Sequence, residues 1–439
     1  MSKSKVIPQN HFAKSKIIGK ATLKIGVAKG KSLVKRKFLS PSKKEQEKKE
    51  NNEKIAEIIM EALGEIKGVS VKIAQQISLN LTFLPQEFIT KMERSFNQIP
   101  PLNRAIIRKV IKSELNGYPH ELFSSFDSEV FAAASLGQVH QATLDDACVV
   151  VKIQYPGIEA SITNDMKVMR FVLQKATQSK QINHLVSEIS ERLYEEIDYE
   201  LEASNQAFFA SHLQNPHIII PKVYRKYSTS RVITTQKLDG LILRDFLATH
   251  PSQEERNHYA NLLFQSFFDS LYSLYAIHAD PNPGNYLFME DKKLGMIDFG
   301  CIKRVDKKFL NLYSKLHLAL IERKDEAMIM EFYYQLGMID KDEGEKMKAF
   351  YYKVLYPLDS LYIEPFIEGE FDFKKHHDFS SRGFKALMQI QKGNGYEMDK
   401  LNQEFIFLDR TLLGLYAIFE KLGAVVDTSY AVRLMRSEI

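Results

Sequence analysis

Apolar residues recur at intervals of three and four at Ile55, Ile58, Ile59, Ala62, Leu63 and Ile66, directly after the polar run Ser42 to Lys54. That spacing marks one face of an α-helix. Gly64 and Gly68 loosen its end, VKIAQQISLNLTFL begins a further helix, and Pro85, Pro100 and Pro101 punctuate the stretch up to residue 101. Between Val130 and Leu238 the pattern changes. QVHQAT, CVVVKI and RVITTQ are short, rich in β-branched residues and predict strands, while Ile158 to about Leu213 returns to helical spacing. Beyond Asp239 and Gly240 the chain reads as mainly helical to its end, with a short strand pair around NYLFM and KLGMID. No internal repeat is visible. The order predicts an α+β protein in four parts: a basic arm over 1–50, a helical extension over 51–125, a small mixed lobe over 126–240 and a larger helical lobe over 241–439.

Composition narrows the setting. With 439 residues and 44% hydrophobic content the chain can bury a large core. Two cysteines, Cys148 and Cys301, are too few for a disulfide scaffold and suggest a reducing compartment. No uninterrupted apolar run approaches the ~20 residues that span a bilayer. The net charge of +5 hides an asymmetry, because residues 1–40 hold eleven Lys or Arg and no acidic residue, leaving 49 basic against 55 acidic residues elsewhere. A helix through the arm puts Lys16, Lys20 and Lys24 on one face and Ile18, Ala21 and Ile25 opposite, with Leu23 and Val27 interrupting the basic side. Two readings stay open for it, a solvated charged tail and a contact with anionic lipid headgroups; nucleic acid is not expected. Arg36 is its only arginine up to residue 40, which argues against a cleaved transit peptide, and it has no apolar core for a secretory signal.

The chemistry lies further along. Ala132 to Val139 aligns with the glycine loop G-x-G-x-x-G-x-V of kinases, Ala132 and Ala134 replacing the first two glycines while Gly137 and Val139 are kept. Lys152 ends VVVK, like the strand lysine that holds nucleotide phosphates, although a lysine simply emerging at a strand end reads the same way. Downstream, HADPNPGN gives Asp280 and Asn285 the spacing of a kinase catalytic loop, and Asp298 opens a DFG. Phosphoryl transfer needs a carboxylate near the incoming hydroxyl and oxygen ligands for magnesium. Asp280 fits the first role and Asn285 with Asp298 the second. His278 reads as a support for the loop. No A-P-E follows the DFG, and Asn282 stands where protein kinases keep a lysine, so a protein substrate is not expected.

Taken together, AAASLGQVHQA, VVVKIQYPGIE, EEIDYELEASN, HADPNPGN and DFG closely resemble the UbiB family of atypical kinase-like proteins, also called AarF or ADCK. The resemblance covers about residues 55–305 and extends more weakly to Phe407–Ala424. It implies a two-lobed protein-kinase-like fold with an N-terminal helical extension covering the active site. It also implies a KxGQ signature at Lys72, Ile73, Ala74 and Gln75, with Ala74 departing from the usual glycine, and an ExD signature at Glu196 and Asp198. On the same resemblance Lys72 meets Glu196 and Asp198, Lys152 pairs with Glu202, and the loop Ala132, Ala133, Ala134, Ser135, Leu136, Gly137, Gln138 and Val139 covers the phosphates. The linker TTQKLDG, with Gln236 and Leu238, would contact adenine through its backbone.

The resulting expectation is an atypical kinase or ATPase using ATP and Mg2+, supporting isoprenoid quinone biosynthesis or lipid homeostasis, cytoplasmic and peripheral at the inner face of a membrane. Its expected partners are nucleotide, anionic membrane lipid and a quinone-precursor or other lipid-like ligand, with a homodimer left open. Two alternatives stand beside it: a small-molecule kinase of the choline or aminoglycoside phosphotransferase type, and a non-catalytic nucleotide-sensing, lipid-binding scaffold.

Overall fold

The computed structural model describes residues 11–36, parts of 39–58, and 102–134, 136–177, 181–339, 344–391 and 402–439. Lys72, Ala74, Gln75 and Ser135 lie outside the described residues. The chain divides into two compact units, one of residues up to Leu201 together with Tyr224–Thr235, the other of Glu202–Val223 and Gln236–Ile439.

The first unit is built on a five-stranded sheet. β3 (Gly137–Leu144) and β4 (Ala147–Gln154) form its antiparallel centre. β1 (Ser125–Phe126) and β2 (Ala132–Ala134) pair with opposite ends of β3, and β6 (Val232–Gln236) lies beyond β4. Side chains alternate along a strand, so Val149, Val151 and Ile153 enter the core while Lys152 belongs to the opposite face. The core is closed by Ile107 and Ile111 from α2 (Arg104–Leu115), whose first turn is capped by the Asn103 side chain accepting from the Ile106 N–H at 3.0 Å. Further helices of this unit are α1 (His11–Arg36), α3 (Ile158–Thr177) and α4 (Gln181–Glu196). α1 packs on α3, and Ala21, Ile25, Ala28 and Ser32 of α1 are buried. Ala21 and Ile25 thus take the face their spacing predicts, while the side chains of Lys16 and Ile18 lie outside the described ones.

The chain passes between the units within α5 (Tyr199–His212). In the second unit α6 (Gln253–Leu274) is the central helix, started by a capping box between Ser252 and Glu255 and burying Tyr259, Leu263, Phe264, Phe268 and Leu271. α7 (Lys307–Ile321), α8 (Glu326–Gln335), α9 (Tyr356–Ile363), α10 (Phe379–Gln391), α11 (Gln403–Leu422) and α12 (Ser429–Glu438) continue the helical lobe, with α11 and α12 packed on α6. Gly423 ends α11 at φ +60, a conformation that glycine adopts without strain. The strand pair expected near residues 286–296 is present as β8 (Tyr286–Phe288) and β9 (Leu294–Met296), and β5 (Ile218–Ile219) adds to β9 in parallel. β7 (Ala276–His278) pairs with β10 (Ile302–Arg304). A further pair was not legible in the sequence: β11 (Glu370–Asp372) with β12 (Val425–Asp427). Among the described residues no helix is long and apolar enough to cross a membrane. The protein is α+β.

Candidate functional site

In the second unit, α6 stops at Tyr275, which turns the chain with φ +49 into the fully buried β7. The loop beyond it is shaped by its prolines. Pro281 disfavours helical backbone at Asp280, and Pro283 opens a single 3₁₀ turn that ends at Asn285. Asn282 fixes the bend, its Oδ1 accepting from the Gly284 N–H at 3.0 Å. Asn285 is buried and its Nδ2 donates to both the carbonyl and Oδ2 of Asp280, each at 3.1 Å. One amide therefore orients the carboxylate. With its NH2 group engaged, the remaining donor that Asn285 can offer a cation is its carbonyl oxygen.

The hairpin of β8 and β9 brings the second carboxylate to this loop. The Ile297 N–H donates to the Asn285 carbonyl at 3.1 Å, so Asp298 comes one residue after the hairpin base. Asp298 Oδ1 accepts from the Gly300 N–H at 3.0 Å, and its backbone carbonyl accepts from His278 Nε2 at 2.5 Å. Because a carbonyl only accepts, Nε2 carries the proton; the buried Nδ1 has no hydrogen-bond partner among the described residues. Phe299 is fully buried, with ring centroids 5.4 Å from Phe209 and 5.8 Å from His278, and its carbonyl accepts from Asn205 Nδ2 at 3.2 Å. Glu202, 2% exposed, lies beside the same turn: a Cβ added to Gly300 would stand 3.3 Å from Asp298 Oδ1 and 3.9 Å from Glu202 Oε2. This loop also rests on α11. A Cβ at Gly414 would come within 3.1 Å of Pro281 Cβ and closer still to its Cγ, so the loop uses the space that glycine leaves.

In the first unit the alanine segment is a strand and not an open loop. Ala132, Ala133 and Ala134 pair with Val139, Gln138 and Gly137, and none of the three alanines has a positive φ. Extended backbone suits alanine, so glycine is unnecessary there. Gly137 is different: a Cβ would lie inside contact with the Ile153 carbonyl oxygen and 3.0 Å from Tyr199 Oη. Leu136 is buried and Val139 faces Lys152 across the ladder. Gln138 turns inward, its Oε1 accepting from the Leu102 N–H at 2.8 Å and its Nε2 meeting His140 Nε2 at 2.8 Å, so its side chain serves the interior. Burial lowers the pKa of His140, consistent with a neutral ring in that network.

Lys152 is half-buried, with Nζ 5.0 Å from the centroid of the Tyr199 ring. Glu196 is half-buried at the end of α4, and Asp198, exposed, accepts from the Leu201 N–H at 3.0 Å as a cap on α5. Gln236 is exposed and belongs to the second unit; its N–H donates to the Lys222 carbonyl at 2.8 Å. Leu238 is half-buried, with its Cδ1 3.1 Å from where a Cβ on Gly295 would stand. The structure thus gathers Asp280, Asn285, Asp298 and Glu202 in one unit and Lys152 with the alanine strand in the other. Sequence reasoning missed Tyr199, Asn205, Phe209 and Gly414. Tyr199 and Asn205 sit inside the acidic stretch EEIDYELEASN, but nothing in their spacing singles them out.

A strand lysine, a loop carboxylate held by the loop's own asparagine and a DFG carboxylate at a hairpin base are the parts of a protein-kinase-like fold. The ABC1 atypical kinase-like domain matches residues 94–332, and the chain belongs to this UbiB family, whose members include the AarF-domain and COQ8 kinases. It is 30% identical over 281 residues to the chloroplastic protein Activity of BC1 complex kinase 8 of Arabidopsis thaliana, covering 61% of this chain and 37% of that one. It is 29% identical over 385 residues to the mitochondrial atypical kinase COQ8 of Schizosaccharomyces pombe, covering 85% of this chain and 61% of that one. The chain therefore spans 37% and 61% of the lengths of these two relatives. Among solved structures it resembles Rv3197 of Mycobacterium tuberculosis, determined with erythromycin, at a TM-score of 0.61 and 25% identity over 90% of this chain and 98% of that one.

Proposed function

We propose that this protein is an atypical kinase-like ATPase or phosphotransferase that binds ATP with magnesium and supports isoprenoid quinone biosynthesis or lipid homeostasis at a membrane. The observation that carries the reading is the double hydrogen bond from Asn285 to Asp280, next to the hairpin that delivers Asp298. The relatives named COQ8 support the biosynthetic setting.

The residues suit the metal. Carboxylate and amide oxygens are hard donors of the kind magnesium prefers, and Asn285 and Asp298 would hold the ion. Magnesium, when bound, neutralises charge on the phosphate oxygens. Asp280 orients the incoming hydroxyl or water and takes its proton, and Asn285 keeps the carboxylate aimed. Lys152 serves the phosphates, with Glu202 as its expected counter-charge. Lys72, Gln75, Glu196 and Asp198 belong to the family signatures and are proposed to shape access to the site.

Two variants test the assignment. Asp298→Asn should remove magnesium-dependent thermal stabilisation by ADP or ATP, whereas Asp280→Asn should keep it and lose turnover, because Asp280 acts on the nucleophile. A wild type that shows no nucleotide-dependent shift in magnesium refutes the reading. Equal loss of binding in both variants refutes the division of roles.

A further inference from the structure

A lysine that serves phosphates must have its ammonium aimed in one direction, and the sheet face that carries Lys152 shows how. Side chains alternate along a strand, so Lys152 and Gln154 of β4 lie on one face together with their register partners Val139 and Gly137 of β3. Tyr199 lies against this face. It is 1% exposed, the centroid of its ring is 5.0 Å from Lys152 Nζ, and its Oη stands 3.0 Å from where a Cβ on Gly137 would be. One side chain thus touches both the lysine and the glycine that the alanine segment retains.

The ring is held from its own backbone. The Tyr199 N–H donates to the Ser230 carbonyl at 3.3 Å, and the buried Gln154 donates from Nε2 to the carbonyls of Ile197 and, at 2.9 Å, of Ser230. Asp198 caps α5 by accepting from the Leu201 N–H, which makes Tyr199 the first residue of that helix. Gly137 supplies the remaining room, since a side chain there would meet both the Ile153 carbonyl and Tyr199 Oη. Its conservation of space is therefore explained within the sheet, without a phosphate.

An ammonium within about 6 Å of an aromatic ring is drawn to the negative face of the π system, most strongly where water is excluded. A neutral ring aims the ammonium without cancelling its charge. We infer that Tyr199 is a positioning residue for Lys152, its ring holding the ammonium toward the phosphates of a nucleotide while its hydroxyl fills the gap that Gly137 leaves. This rests on the nucleotide reading and adds to it the group that aims the lysine.

The test uses the full chain with its lysines labelled with carbon-13 at Cε. In the nucleotide-free protein the Lys152 signal, identified by its loss in Lys152→Gln, should be shifted upfield by the ring. Tyr199→Phe keeps the π face and should keep that shift, whereas Tyr199→Leu keeps only apolar bulk and should return the signal to the ordinary lysine position. Tyr199→Leu should also weaken binding of ADP with magnesium by about tenfold, and Tyr199→Phe should stay within about twofold of the wild type. In the Lys152→Gln background Tyr199→Leu should cost less than about twofold more, because a residue that acts through the lysine then has nothing further to lose. An unshifted Lys152 signal in the wild type overturns the inference, as do equal losses of binding in the Phe and Leu variants or additive losses in the double variant. If Tyr199→Leu fails to fold, the wild-type and Tyr199→Phe spectra still decide. An upfield signal that responds to Tyr199 as expected, in a protein that ADP with magnesium does not stabilise, refutes the nucleotide reading and leaves the hold of Tyr199 on Lys152 standing.

Discussion

Replacing Gly414 with alanine tests whether α11 holds the catalytic loop in place. The new Cβ would stand 3.1 Å from Pro281 Cβ and nearer to Cγ, whereas carbon atoms in good contact sit at about 3.5–4.0 Å, so the proline must retreat by roughly 1 Å. Overpacking of this kind costs about 1–3 kcal/mol, offset by about 1 kcal/mol because alanine favours a helix interior over glycine. The net loss of stability should therefore be small, about 0–2 kcal/mol. Catalysis should suffer more. Pro281 is bonded to Asp280, and a misplacement of about 1 Å at a reacting group can cost about 100-fold in rate. The expected result is ATP turnover reduced by about ten- to 100-fold, with thermal stabilisation by magnesium and ADP nearly unchanged. Gly383→Ala is the control, since the three atoms its Cβ would meet first all belong to Leu413 on α11. Wild-type turnover in Gly414→Ala, or an equal loss in Gly383→Ala, would show that α11 does not position Asp280.

Gly137→Ala should disturb the sheet itself, because its Cβ meets the Ile153 carbonyl and Tyr199; a fall in thermal midpoint with weaker nucleotide binding is expected, and an unchanged midpoint would contradict the close approach. A pH effect should come from the second unit, where Asp359 and Asp409 are buried and accept from Tyr333 and Tyr313. Burial pushes Asp359 up to about 8 and Asp409 well above the carboxylate range, so the folded state keeps protons that the unfolded chain releases from about pH 4 upward; stability should fall toward pH 8 by about 1 kcal/mol per unit for each group. Asp359→Asn, an isostere of the protonated acid, should flatten that slope in thermal unfolding measured from about pH 5 to 8, and an identical slope in both proteins would refute the buried-acid account.

The strands and helices that the sequence made legible are those whose own residues set their period. β4 is one, because Val149, Val151 and Ile153 alternate with residues of the other face and need no partner to be recognised. β11 and β12 are the contrary case: three residues each, far apart in the chain, joined by a register such as Phe371 with Val426 that no local pattern encodes. β2 is hidden for another reason. Alanine has little strand preference, and the likeness of AAAS to a glycine loop points away from a strand. Within the site, Asp280, Asn285 and Asp298 stand out by chemistry and spacing, while Gln138 does not declare itself as an interior residue. Its strand alternation is broken by two successive buried neighbours, Leu136 and Gly137. Gly414 is beyond reach, since its importance lies in the empty space beside Pro281.

Asn285 shows why the spacing of this loop is strict. Its Nδ2 holds Asp280 while its carbonyl oxygen is the donor left for a cation, so under the proposed roles one side chain would couple the aim of Asp280 to the seat of the metal. The backbone adds a third tie, because the Asn285 carbonyl accepts from Ile297 and fixes the strand end that leads into Asp298. His278 extends the coupling by bonding the Asp298 carbonyl, and Phe299 packs between His278 and Phe209. Asp280, Asn285 and Asp298 are thus each held by another group of the same loop or turn. The alanine strand of the first unit, by contrast, is fixed by its ladder to β3 and has no positive φ at its alanines, which leaves it less able than a glycine loop to fold its amides around phosphate.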